Sequence, residues 1–131
     1  MENLKTGDSI TSFFEDNPLD FVSCSFRDLI KPVIQARKIS SASMIKDSGI
    51  NRRYYFDILS GKKNPSRNYV IRILLALKLT IQDAQWTLRA AGYSQLYVRN
   101  RRDAVIIYAF EHSISIKTCN EMLCNIEVEL I

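Results

Sequence analysis

The sequence predicts an all-α protein, five helices extended by a C-terminal helical hairpin. Three observations carry this. Apolar residues recur three and four apart in segments that open on Ser, Thr or Asn and close on Gly, or on Pro shortly after, which is how short amphipathic helices are punctuated. No segment alternates apolar and polar residues over the length of a strand, the nearest being Leu96 to Val98. Two stretches of helix, turn and helix are related to each other at an offset of 35 residues.

Bulk properties narrow the class. With 131 residues, 47% hydrophobic and 24% charged, the chain has the size and composition of one globular domain that forms a core without metal or disulfide. The longest apolar stretch, Ile71 to Leu79, is interrupted by Arg72 and Lys78 and is too short to cross a bilayer, and the N-terminus lacks a basic-then-apolar signal pattern. Neither secretion nor a membrane partner is expected. Cys24, Cys119 and Cys124 are odd in number and have no close-spaced pair, so no disulfide framework or zinc site is expected, which fits a cytoplasmic location.

Residues 1–25 combine a loop-like cluster (Thr6, Gly7, Asp8, Ser9, Thr11, Ser12) with apolar residues that read as docking (Phe13, Phe14, Leu19, Phe21, Val22), and remain an unassigned N-terminal extension. From Phe26 to Lys38, Phe26, Leu29, Ile30, Val33 and Ile34 fall at helical spacing, with Pro32 the feature against an uninterrupted first helix. Ser40 caps a short second helix carrying Met44 and Ile45, which stops at Ser48-Gly49. Asn51 caps a third helix with Tyr55, Ile58 and Leu59 on one side, stopped by Ser60-Gly61 and then Pro65.

Two helical pairs follow. Arg67, Val70, Ile71, Ile81 and Leu88 recur as identities at Arg102, Val105, Ile106, Ile116 and Leu123. Thr80 with Asp83 forms a capping box, Ser115 caps the last helix, and Asn100 with Asp103 caps the one before it. The chain divides into the extension 1–25, a unit 26–92, and a helical pair 93–131 that packs on that unit or dimerises.

The net charge of +4 conceals blocks: residues 1–25 carry −4, 26–66 carry +6, 67–102 carry +6 and 103–131 carry −4. A basic middle suits a polyanion, because clustered cations release condensed counter-ions when they meet phosphates. The alternative is a basic surface partly neutralised by the chain's own acidic ends.

The segment Ile39 to Ser66 has the order short helix, Gly-centred turn, second helix, Gly stop, basic loop, Pro. A DNA reader needs this order, since the first helix braces on the backbone while the second enters the major groove by its N-terminal end. Through Ser48-Gly49-Ile50 at the turn and Gly61-Lys62-Lys63-Asn64-Pro65-Ser66 after it, the stretch resembles the phage-repressor-like (Cro-type, xenobiotic-response-element type) helix-turn-helix family over about residues 26–91. The resemblance implies a repressor-like five-helix domain, double-stranded DNA as partner, a bacterial or mobile-element transcriptional regulator, and a protein that is nucleoid-associated when bound. It places Arg52, Arg53 and Asp57 on the base-facing side of the recognition helix, Asn51, Tyr54, Lys62, Lys63 and Asn64 at phosphate-contacting positions, and Tyr55 and Ile58 in the core. Ser41 stands where the family usually has a Gln that contacts phosphate.

The residues support this independently. Arg bonds bidentately to guanine O6 and N7, and two cations at a helix N-terminus oppose its dipole unless an anion is present. Asp57 either accepts from cytosine N4 or holds Arg53 by an ion pair four residues apart. Arg99, Arg101 and Arg102 form either a second phosphate patch or pairs with Glu127 and Glu129. Of the aromatic run, Tyr55 is expected in the core, Tyr54 at the surface and Phe56 against a neighbouring helix, while Trp86 is expected in the core or as an interface anchor.

The alternative function is a protein-interaction module with a degenerate helix-turn-helix and only non-specific nucleic-acid affinity. RNA binding is a further one that charge does not separate. No enzyme is expected: His112, the one histidine, sits near a helix C-terminus without a catalytic partner, Cys119 and Cys124 lie five apart on different helical faces, and there is no Gly-rich phosphate loop. No cofactor, metal or small-molecule ligand is expected, and a homodimer is, since half-site readers bind as two-fold pairs.

Overall fold

The computed structural model describes residues 25–131, so the N-terminal extension up to Cys24 lies outside it. The described residues form seven α-helices and no strand: α1 (Phe26–Ala36), α2 (Ser41–Ser48), α3 (Arg52–Ser60), α4 (Arg67–Ala76), α5 (Ile81–Ala90), α6 (Arg101–Glu111) and α7 (Ile116–Asn125).

Local chemistry accounts for the boundaries. The side chains of Ser40, Asn51, Ser66, Thr80, Asn100 and Ser115 each accept from a backbone N–H in the first turn of the helix they precede. Several helices end on a left-handed residue that turns the chain back. Gly61 (φ 85°) closes α3, with its N–H donating to Ile58 O and the Lys62 N–H donating to Asp57 O. Lys38, Lys78, Ser113 and Glu127 take the same conformation without being glycine. Helix α1 continues through Pro32, which removes the bond to the Asp28 carbonyl. Burial of Phe26, Leu29, Ile30 and Val33, each roughly 1.5–3 kcal/mol when fully buried, offsets that loss of about 3 kcal/mol and keeps the helix intact.

In chain order α1 and α2 are followed by α3, which packs on α1, and then by two packed pairs, α4/α5 and α6/α7. Across pairs, α1 meets α5 and α5 meets α6 on one side, while α2 meets α4 and α4 meets α7 on the other. One apolar core runs through all of them, from Phe26 and Leu29 through Met44, Tyr55, Ile71, Leu74 and Leu88 to Ile106, Cys119 and Leu123. The hairpin 93–131 therefore packs on the preceding helices.

The 35-residue repeat extends to individual hydrogen bonds. The Gln85 side chain accepts from Leu96 N–H (2.7 Å) and donates to Leu96 O (2.7 Å), and 35 residues on the Asn120 side chain accepts from Ile131 N–H (2.9 Å) and donates to Ile131 O (3.2 Å). The Arg67 guanidinium donates to Ser94 O and Gln95 O, and Arg102 donates to Glu129 O and Leu130 O. Each arginine also reaches into the other copy, Arg67 to Asp103 (3.4 Å) and Arg102 to Asn68 (2.7 Å), and Asn68 and Asp103 are themselves equivalent positions. This reciprocity is that of a local two-fold axis between the two pairs.

A third copy, which the sequence did not reveal, precedes them at an offset of 40 residues. Arg27, Lys38 and Ser40 of the first pair match Arg67, Lys78 and Thr80 of the second: an arginine early in the first helix, a left-handed residue after it, and a cap for the second helix. Arg27 donates to Ser60 O (2.8 Å), the carbonyl that closes the inserted α3.

Candidate nucleic-acid interface

The unit of interest runs from α2 to Ser66. Helix α2 ends on Gly49 (φ 68°), a left-handed residue whose N–H donates to Ile45 O. A Cβ at Gly49 would lie 3.0 Å from Arg72 Nη1, the group that donates to Ser48 O (3.2 Å) and Gly49 O (3.4 Å). The turn is thus closed from within by glycine and held from outside by Arg72. Ile50 beyond it is buried and anchors the start of α3 in the core.

At the start of α3 the Asn51 Oδ1 accepts from Arg53 N–H (2.9 Å) and Tyr54 N–H (3.3 Å), while Asn51 itself is exposed. Arg52 and Arg53 are both exposed in the first turn, and no acidic residue stands there to balance the positive end of the helix. Tyr55 and Ile58 are buried and fix the opposite side of α3. The Tyr55 hydroxyl has no hydrogen-bond partner among the described residues, and burial pushes its pKa up. Lys62, Lys63 and Asn64 are exposed in the loop that follows, which Pro65 ties down by accepting from the Tyr93 hydroxyl at its carbonyl. Ser41 is half-buried as the first residue of α2.

Three side chains depart from expectation. Tyr54 is half-buried, its ring 4.9 Å from that of Tyr69, because α4 follows close behind α3 and supplies an aromatic partner. Phe56 is 42% exposed, its ring 5.5 Å from that of Tyr55 in a T-shaped contact and the Arg52 guanidinium 5.9 Å from its centroid. The helical wheel could have found it. At about 100° per residue, Phe56 lies about 40° from Arg52 and within the arc from Arg52 to Arg53, whereas Tyr55 and Ile58 lie about 60° and 120° from Arg52 on its other side. Finally, no Arg53–Asp57 ion pair forms, whereas Arg27–Asp28 and Arg67–Asp103 do pair. Asp57 serves through its backbone, its carbonyl accepting from Lys62 and Lys63 N–H and from the Ser60 hydroxyl.

The second group of arginines is divided. Arg102 is half-buried, its guanidinium occupied by Glu129 O (2.6 Å), Leu130 O (3.0 Å) and Asn68 Oδ1 (2.7 Å). Arg101 is exposed and donates to Ile126 O (2.9 Å). Both meet the acidic C-terminal segment, but at its carbonyl oxygens and not at the carboxylates of Glu127 and Glu129. Arg99 is exposed on the loop before α6.

Elsewhere, His112 caps α6 at its C-terminal end with its ring 4.1 Å from that of Tyr108, and Trp86 is half-buried at the edge of the core. Among the described residues no three His, Cys, Asp or Glu side chains gather to hold a metal ion, and no helix is long and apolar enough to cross a membrane. Cys119 is buried and its pKa is pushed up to about 11 by that burial, partly countered by Arg102. No protein family, curated protein or solved structure matches the chain.

Proposed function

We propose that this protein is a sequence-specific reader of double-stranded DNA and a transcriptional regulator, with α2, the Gly49 turn and α3 acting as a helix-turn-helix inside a repressor-like five-helix unit. The observation that carries the reading is the pair of exposed residues Arg52 and Arg53 at the positive end of α3, whose first turn holds no acidic residue. Two cations there oppose the helix dipole by about 0.3–1 kcal/mol each, a cost that a phosphate or base acceptor removes. In this reading α3 enters the major groove by its first turn, Arg52 and Arg53 bond guanine edges, and Asn51, Lys62, Lys63, Asn64 and Ser41 flank them along the phosphates. The ring of Tyr54 supports the helix against Tyr69, leaving its hydroxyl as the group for a phosphate. Arg99 and Arg101 extend the positive surface, and Arg102 acts within the fold.

The test is selection of bound duplexes from a random library at about physiological salt, with the native protein and with Arg52→Ala plus Arg53→Ala. An enriched motif that the double variant loses is the expected result. If no motif emerges and the two proteins bind DNA with equal, weak affinity, the reading fails and a protein-interaction role takes its place. A palindromic motif would accompany a homodimer; sedimentation equilibrium showing only monomer with and without the selected duplex would remove the dimer.

A further inference from the structure

The exposed face of α3 carries one group that phosphate binding and guanine recognition do not use. Phe56 is 42% exposed between two cations, one helical turn after Arg52 and turned well away from the buried Ile58. An aromatic ring among exposed cations leaves apolar surface in water where a polar residue would serve the isolated helix equally well. Its position is fixed on two sides. The ring forms a T-shaped pair with Tyr55, whose own ring lies in the core, with centroids 5.5 Å apart at 70°. The Arg52 guanidinium stands over its face at 5.9 Å.

Base edges in the major groove are almost wholly polar; the apolar group among the four base pairs is the C5-methyl of thymine. We propose that Phe56 is a specificity-determining residue that takes the 5-methyl group of a thymine next to the guanine bonded by Arg52, so that the site contains a thymine–guanine step. The inference rests on the DNA-binding reading of α3. Its geometry comes from the pairing of the two side chains. With the Arg52 guanidinium 5.9 Å from the ring centroid, a base that accepts from Arg52 brings its stacked neighbour within reach of the phenyl group. Losing the methyl contact should cost about four-fold in affinity, the factor that corresponds to about 0.8 kcal/mol for one buried carbon.

The experiment replaces each thymine of the selected duplex in turn by deoxyuridine, which removes the methyl group and leaves the base-pairing and the hydrogen-bonding edge unchanged. Binding is measured for the native protein, Phe56→Ala and Phe56→Leu, each checked by thermal unfolding. The expected result is one position, adjacent to a guanine, where uracil weakens the native protein about four-fold. Phe56→Ala should bind the thymine and uracil duplexes alike, and Phe56→Leu should keep part of the preference. A native protein indifferent to every replacement, or a folded Phe56→Ala that keeps the preference, overturns the inference while leaving the DNA reading intact. Failure of the Arg52 and Arg53 exchange to abolish a motif, or absence of any motif, overturns both.

Discussion

Exchange of Gln85 for Ala removes both hydrogen bonds of one bracket in the repeat. The Gln85 amide holds Leu96 at its N–H and its C=O, each at 2.7 Å, and Leu96 itself is 5% exposed. Each intramolecular bond contributes about 1 kcal/mol, and partly buried backbone groups left without partners add to the loss, so the expected destabilisation is about 2–3 kcal/mol. For a domain of this size each kcal/mol lowers Tm by about 4 °C, giving a fall of about 8–12 °C. The assay is thermal unfolding followed by circular dichroism, with Gln82→Ala, an exposed glutamine one turn earlier on the same helix, as the control for helix propensity. Asn120→Ala is the companion, with a smaller expected loss because its two bonds to Ile131 are longer. If Gln85→Ala costs no more than Gln82→Ala, the bracket does not hold the loop and the repeat has no energetic meaning there.

Gly61 and Gly92 share a left-handed backbone, but a Cβ at Gly61 would lie 2.8 Å from Arg27 Nη1, while at Gly92 it would meet nothing within 4 Å. Gly92→Ala should therefore lose only the conformational term of about 1 kcal/mol, and Gly61→Ala about 1 kcal/mol more as Arg27 is pushed from Ser60 O; equal losses in denaturant titrations would refute the Arg27 clamp. Cys119, with its pKa raised to about 11 by burial, stays a thiol in the folded chain while an unfolded thiol ionises near its ordinary value of about 8.5. The sign follows: the thiol's contribution is complete below the unfolded pKa and is lost as pH rises from there towards 11, so stability should fall across that window and less so in Cys119→Ala, compared each with its own value at neutral pH. With Cys24 exchanged for Ser, a thiol reagent at pH about 8 should label Cys124 promptly and Cys119 only on unfolding; prompt labelling of both would contradict the burial.

Helix punctuation was legible in the sequence because it is local. Ser40, Asn51, Thr80, Asn100 and Ser115 cap the helices they precede, and Gly49 and Gly61 end α2 and α3. The repeat between the last two pairs was legible as apolar identities, yet its most informative members, Gln85 with Asn120 and Arg67 with Arg102, act on backbone groups 11 to 28 residues away, and no spacing rule announces a bond to a carbonyl. The first copy escaped notice because α3 intervenes and the offset changes from 35 to 40 residues. At the candidate site the exposed Asn51, Arg52, Arg53, Lys62, Lys63 and Asn64 stand where their polarity places them. Tyr54 and Phe56 were misread because adjacent aromatics on a helix are separated by their neighbours, Tyr69 for one and Arg52 for the other, and those neighbours are set by tertiary packing in the first case and by the helical wheel in the second.

Arg72 gives the fold a kinetic property. Its Nη1 holds the Ser48 and Gly49 carbonyls before α3, its Nη2 donates to Ile131 O at 2.7 Å, 59 residues further along, and its guanidinium lies 5.8 Å from the Tyr69 ring centroid. The turn before α3 is therefore fastened, through Arg72, to a residue beyond α7. Helices α2 and α3 have their own caps and can form early, whereas the Arg72 clamp on the turn between them gains its second partner only when Ile131 docks. Such a contact closes a long loop and is among the slow events of folding. A nascent chain would carry the arginines of α3 before the Arg72 clamp beside them is complete.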